Sequence, residues 1–395
     1  MVGERIKQRR QVLGLSLQDV ADQLSQLGES ITRAGLSKYE NNKSKPKAQF
    51  LWNLAKVYGV QSDYFFAENT ADIEWLAFRK HAALTKKTEE MVKSYASEYL
   101  NGLLSLETVM VPDRKLGTVK KQKITDIKEA EQIADNLRHQ WELNNWPIES
   151  VTQLLEEKGF YVIDQCVDDR KFDGLSGVVN NKNLLIISRS DIAVDRKRLN
   201  LAHELGHHLI DIDGEREESA AYAFASAFLI PSKAIYDELG QNRKNIDIKE
   251  LILLKEKFGI SIQALTIRCR SLGIISESQT KQMFMYFRSN YYHVNEPGRC
   301  IHREEPLYFK KMILKAVAEG VVSDDKAGKI YPGFESIGEE IMRTSAWKWN
   351  ELRSLPLEER ERILKQASEA AESDYAAGSV LRSFEASGDM YDETV

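Results

Sequence analysis

Residues Leu199–Ile210 read LNLAHELGHHLI. Inside this stretch, His203-Glu204-Leu205-Gly206-His207 has the form H-E-x-x-H. On a helix, positions four apart share one face. The two imidazoles can therefore bind one Zn²⁺, with Glu204 beside them where a general base belongs. Leu199, Ala202 and Leu205 are spaced as a core-facing stripe, which supports a helix here. There are 7 His in the 395 residues. Shuffled chains of this composition would show the pattern on the order of once in a hundred, so it is a strong signal.

A catalytic zinc needs a third protein ligand and one open position. The nearest candidates lie in Glu215–Pro231, EREESAAYAFASAFLIP, an Ala-rich helix ended by Pro231. Its face of Ala221, Phe224, Ala225 and Phe228 includes residues small enough to lie close against the histidine helix. Glu218 falls one turn before that face and is the first choice of ligand. Glu217 and Glu215 are the alternatives. His208 is a poor third ligand, because adjacent helix positions point about 100° apart. Two imidazoles and a carboxylate suit several divalent ions, so zinc is expected and manganese is the alternative.

HELGHH followed by E-x-x-A-x-x-F-A-S-A-F-L-I-P resembles the ImmA/IrrE type of metallopeptidase. The likeness extends upstream through Pro147-Ile148, Leu154-Leu155-Glu156, Gly159 and Phe172–Gly177. Tyr222 departs from it, standing where many relatives carry a polar residue. The resemblance implies that Glu218 completes the metal site with His203 and His207, and that Glu204 is catalytic. It also implies a zincin-like domain that cuts a repressor and so switches on stress or mobile-element genes. Tyr222 is the nearest candidate to stabilise an oxyanion. The other reading is an antitoxin-type regulator whose metal domain senses or binds a partner without cutting it.

Before this domain, residues 1–68 read as five short helices: Arg5–Leu13, Leu17–Leu24 with Ser16 as N-cap, Thr32–Tyr39, Ala48–Tyr58 and Ser62–Phe66. SLQDVADQL, ITRAGLSKYENNKSKP and FLWNLAKVYGV-x-x-DYFF resemble the Xre/Cro type of helix-turn-helix. In that family the third helix enters the major groove. Carried over by position, Thr32, Arg33, Ala34, Ser37 and Lys38 read bases, with Arg33 the candidate for a bidentate guanine contact. Asn41, Asn42, Lys43 and Lys45 hold phosphates. The partner implied is a double-stranded operator, and the habit of reading paired half-sites implies a homodimer.

Charge agrees with this division. Residues 1–68 carry ten Lys and Arg against seven Asp and Glu, a local +3 in a chain of net charge −5. A basic unit on an acidic body suits an anionic partner. No run of about 18 apolar residues exists, and the N-terminus lacks the apolar core of a signal peptide, so neither a membrane span nor export is expected. Cys166, Cys269 and Cys300 are scattered, which favours reduced thiols in a cytoplasm.

The expected class is α+β and mostly helical. A helical connector and linker cover 69–123, with Met91, Tyr95, Tyr99 and Leu103 at helical spacing as a packing or dimer seam. The peptidase domain covers 124–275. Its small sheet is expected at Phe160–Asp164, Leu175–Val179 and Leu184–Ile187. Gly177–Asn180 is the candidate edge on which an extended substrate would pair. A helical C-terminal region covers 276–346. An amphipathic helix and acidic tail, 347–395, weakly resembles antitoxin segments that bind a toxin partner.

Overall fold

The computed structural model describes residues 2–67, 70–76, 85–114, 119–169, 172–331, 333–334, 337 and 360–361. Linker residues 115–118 lie outside these, as does the expected terminal helix and tail at 347–395 apart from 360–361. The chain divides into a unit Met1–Pro332 and a unit Gly333–Val395. Every element named below belongs to the first.

Four helices open the chain: α1 (Val2–Val12), α2 (Leu17–Gln26), α3 (Arg33–Glu40) and α4 (Ala48–Tyr58). The fifth expected helix is a 3₁₀ stretch, Ser62–Phe66. Ser16 and Asp19 form a capping box at α2, and the Thr32 hydroxyl accepts from Gly35 N to start α3. Ile6, Val20, Leu24, Leu36, Phe50 and Leu54 form this unit's core. Arg10 clamps the buried Glu40 with two hydrogen bonds of 2.6 and 2.9 Å, holding α3 against α1.

A four-residue strand, β1 (Ile73–Leu76), follows, and then α5 (Lys86–Met110), which begins at the cap Thr85. α5 buries Val92, Ala96, Leu100 and Leu103, and Tyr99 meets Phe309 edge-on at 4.9 Å. The tyrosine seam is therefore internal packing. α1 lies along α5 through Arg9–Glu98 at 2.6 Å, Gln11–Glu90 at 2.8 Å and Ser94–Gln11 at 2.9 Å. The helix-turn-helix unit is thus tied to the rest of the chain by polar contacts along one helix.

Beyond the linker come β2 (Gln122–Lys123), α6 (Glu129–Gln140), α7 (Val151–Glu157), β3 (Tyr161–Gln165), β4 (Gly174–Val179) and β5 (Asn183–Arg189). The sheet order is β1-β4-β5-β3. β3 runs parallel to β5, while β4 is antiparallel to β5 and to β1. The β4–β5 turn passes through Asn180 and Asn181 at φ 52° and 58°, left-handed positions that asparagine tolerates. The expected substrate edge at Gly177–Asn180 is already paired: β1 covers it from Ile73 opposite Val179 to Leu76 opposite Ser176. A four-residue strand between a loop and a helix leaves too short an alternation to be read from sequence.

α8 (Val194–Leu209) follows the sheet. It leads through β6 (Ile210–Asp211), parallel to β2, into α9 (Glu217–Leu229) and α10 (Ser232–Leu239). The remaining helices are α11 (Ile248–Phe258), α12 (Ile262–Ser271), α13 (Glu277–Ser289), α14 (Tyr308–Ala318) and α15 (Asp324–Ile330). One core runs through α6, α8, α9 and the α11–α13 helices, with Leu137, Leu201, Leu205, Phe224, Phe228 and Leu265 among its members.

Candidate metal centre and nucleic-acid interface

α8 is buried almost all round, so its polar side chains sit among packed elements. His203 and His207 project from it toward α9 with their Nε2 atoms 3.0 Å apart. Glu218, in the first turn of α9, places carboxylate oxygens 3.4 Å from His203 Nε2 and 3.7 Å from His207 Nε2. Among the described residues these three form a group able to hold a metal ion, with candidate ligand atoms all within 4.8 Å of one another. Atoms bonded at 2.0–2.1 Å to a tetrahedral ion stand about 3.3 Å apart. The observed separations bracket that value, and two nitrogens with one oxygen leave a fourth position open. The residues present therefore fit zinc.

Of the three carboxylates in play, the geometry separates Glu218 from the others. Glu217 Oε1 lies 3.4 Å from His207 Nδ1, on the side of the ring away from Glu218. It is placed to orient the imidazole rather than to join both rings. Glu215 lines the same cleft and stands outside the three-residue group. His208 is elsewhere too. Burial pushes its imidazole down to about 4, and a backbone hydrogen bond with Leu185 ties it to β5, so it stays neutral.

The approach of the two helices depends on Gly206. A Cβ there would stand 3.2 Å from Ala221 Cα and 3.2 Å from Phe224 Cδ1. The second of the two unnamed positions of the H-E-x-x-H pattern is thus a packing position. Gly206→Val is expected to wedge α9 away from α8. It should lower stability by about 1–3 kcal/mol and weaken zinc binding with it, read by urea unfolding and a zinc titration. A variant unchanged in both would show that this contact does not set the site.

A cleft of about 510 Å³ opens beside the group, lined by Gly174, Leu175 and Ser176 of β4, Glu204, and the carboxylates of Glu217 and Glu218. Glu204 is 8% exposed, and a Cβ on Gly174 would stand 3.2 Å from its Oε1. The glycine lets the start of β4 lie against this carboxylate, a role its place in Phe172–Gly177 did not disclose. Tyr222 packs its ring 4.1 Å from that of His203. Burial first, then the Asp173 and Glu218 carboxylates, raises its phenol above the usual range, keeping it a hydrogen-bond donor.

On the N-terminal unit, Arg33, Ala34 and Lys38 are exposed on α3, with Ser37 half-buried beside them. Thr32 is exposed and also caps the helix. Asn42 sits at φ 55° and its Oδ1 accepts from Gly3 N at 2.9 Å, closing α1 onto the end of α3. Its amide oxygen is thus engaged inside the unit. Lys43 and Lys45 are exposed just beyond.

These features define a helix-turn-helix DNA-binding unit joined to a metallopeptidase-type domain. Comparison with known families agrees: residues 6–65 match the helix-turn-helix family, and residues 157–270 match the peptidase M78 family, described as the IrrE N-terminal-like domain. No curated protein matches the chain. The chain thus carries a segment similar to helix-turn-helix domains and, beyond α5 and the linker, a segment similar to the IrrE N-terminal-like domain.

Proposed function

We propose that this chain is a DNA-binding transcriptional regulator whose IrrE-type domain is a zinc-dependent endopeptidase cutting a repressor or partner protein in a stress, mobile-element or toxin–antitoxin circuit. The observation that carries the reading is Glu218 facing both Nε2 atoms, with Glu204 in the adjoining cleft. His203, His207 and Glu218 would hold the ion. When bound, it supplies Lewis-acid polarisation of the scissile carbonyl. Glu204 takes a proton from the attacking water at its carboxylate and delivers it to the leaving amine. Tyr222 donates its hydroxyl hydrogen to the carbonyl oxygen as charge grows there. The test is cleavage of candidate repressors with zinc and with chelator, using the Glu204→Gln protein as control.

In this reading 1–68 binds the operator as a homodimer, 124–275 is the peptidase, 276–346 supports it, and 347–395 receives a toxin partner. Manganese is the alternative ion. Among the described residues no helix is long and apolar enough to cross a membrane, and the three cysteines are free thiols, which suits a cytoplasmic regulator. Thr32, Arg33, Ala34, Ser37 and Lys38 face the bases, while Asn42 and Lys43 face phosphates. Arg33→Ala should weaken operator binding by about 1–3 kcal/mol and relax sequence preference. Lys43→Ala should weaken all DNA alike and reduce the salt slope by about 1. Operator affinity unchanged in both variants, measured by fluorescence anisotropy across a salt series, would remove α3 from the groove.

A further inference from the structure

We propose that β1 is a resident strand in the substrate slot: the outer edge of β4 receives an extended polypeptide by antiparallel addition, and Ile73–Leu76 must leave it before a substrate can enter. This rests on the peptidase reading of the α8–α9 site.

β4 is the strand that meets the chemistry. Gly174, Leu175 and Ser176 line the cleft, and Gly174 lies against Glu204. An extended chain is held on a sheet edge by its backbone, whatever its side chains. β1 is held in that manner. It is antiparallel to β4, and it runs from Val179 toward Ser176, in the direction of Glu204. Asn180 N donates to Asp72 O at 2.7 Å, and Asp72 N donates to Asn180 Oδ1 at 2.8 Å. By the two-residue period of an antiparallel ladder, Glu74–Val178 and Leu76–Ser176 are then the pairs that exchange N–H···O bonds. Gly177 admits β1 closely: a Cβ there would meet Glu74 O at 3.0 Å and the Trp75 ring at 3.4 Å.

β1 also differs from the rest of the sheet in how little it buries. Most residues of β3, β4 and β5 are buried, whereas Ile73, Trp75 and Leu76 are half-buried and Glu74 is exposed. A strand that contributes nothing fully buried can leave without opening the core. Its lead-in is pinned by Asn101 of α5, whose Oδ1 accepts from Thr70 N at 2.7 Å and Ala71 N at 3.0 Å. α5 in turn carries α1 of the helix-turn-helix unit. The strand therefore sits on the connection between the DNA-binding unit and the cleft. A tethered strand competes at an effective concentration on the order of millimolar, enough to exclude weak outside peptides.

The probe is a fluorescein-labelled synthetic peptide, TADIEWL, matching residues 70–76. Its binding is measured to the zinc-loaded full chain in a Glu204→Gln background, with and without Glu74→Pro, which deletes a ladder donor. The expected result is at least tenfold tighter binding when Glu74→Pro is present. Equal affinities overturn the inference. Should Glu74→Pro fail to fold by circular dichroism, Trp75→Ala is read by the same criterion, since it keeps every backbone donor. With Glu204 restored, casein hydrolysis should rise at least tenfold in the β1 variant. Equal, measurable hydrolysis with and without the change overturns the inference. Tighter peptide binding with no hydrolysis in either protein sustains β1 as the resident strand and overturns the peptidase reading.

Discussion

Glu204→Gln in the zinc-loaded chain is expected to lower peptide hydrolysis by about 10²–10⁴-fold, the range for loss of a positioned general base. The amide keeps the volume of the carboxylate, so the packing against Gly174 is preserved. It removes only the capacity to accept and return a proton. Glu204 is not one of the three residues that converge as candidate ligands. Zinc content should therefore stay at the level of the parent while turnover falls. That pairing separates a base from a ligand, whose loss would remove both. The check is cleavage of candidate repressors by the two proteins, alongside the bound metal. The regulatory counterpart is a reporter for the target genes: derepression by Glu204→Gln at the level of the parent would show that regulation does not proceed through cutting.

The largest loss of stability is expected from a residue remote from the cleft. Glu304 is 4% exposed and accepts Val151 N at 2.9 Å and Thr152 N at 2.7 Å at the start of α7. It also pairs with Arg198 Nη1 at 2.5 Å, and Arg198 is fully buried in α8. Arg198 further donates to the carbonyls of Ile148 and Phe258. Glu304→Ala would leave this buried guanidinium without its counter-ion and two helix N–H groups without an acceptor. Removing one partner of a buried pair costs about 3–5 kcal/mol. Urea unfolding should show that loss. Glu304→Gln, which keeps an acceptor for α7 but not the charge for Arg198, should fall between Glu304→Ala and the parent. A loss under about 1 kcal/mol for Glu304→Ala would mean water replaces the carboxylate.

These two residues mark the limits of what could be read from the chain. The place of Glu204 beside two facing imidazoles was legible because a helix converts the spacing of four between His203 and His207 into a shared face. Glu218 was legible for a related reason: small side chains on its helix implied a close neighbour. The helix-turn-helix unit was visible in the cap Ser16 and in the run ITRAGLSKYENNKSKP, whereas Thr32, expected inside the third helix, is its N-cap. Glu304 left no such mark. It lies in an irregular run, NEPGRCIHREEP, and its partners are some 106 and 153 residues away in sequence. Glu296 in the same run caps α12 at Ile262 N in the same way. Long-range capping by a single carboxylate has no periodicity to betray it. β1 was missed because pairing with β4 depends on tertiary contact rather than on the propensity of IEWL. Gly174 and Gly206 were missed as site residues because what they supply is room.

The whole account turns on one ion between α8 and α9, and zinc titration of the metal-free chain by isothermal calorimetry tests this most directly. The parent and Glu217→Gln should each take up one ion per chain, while Glu218→Ala loses at least 100-fold in affinity. Equal zinc affinity in the parent and Glu218→Ala, or no stoichiometric uptake by the parent, would contradict it.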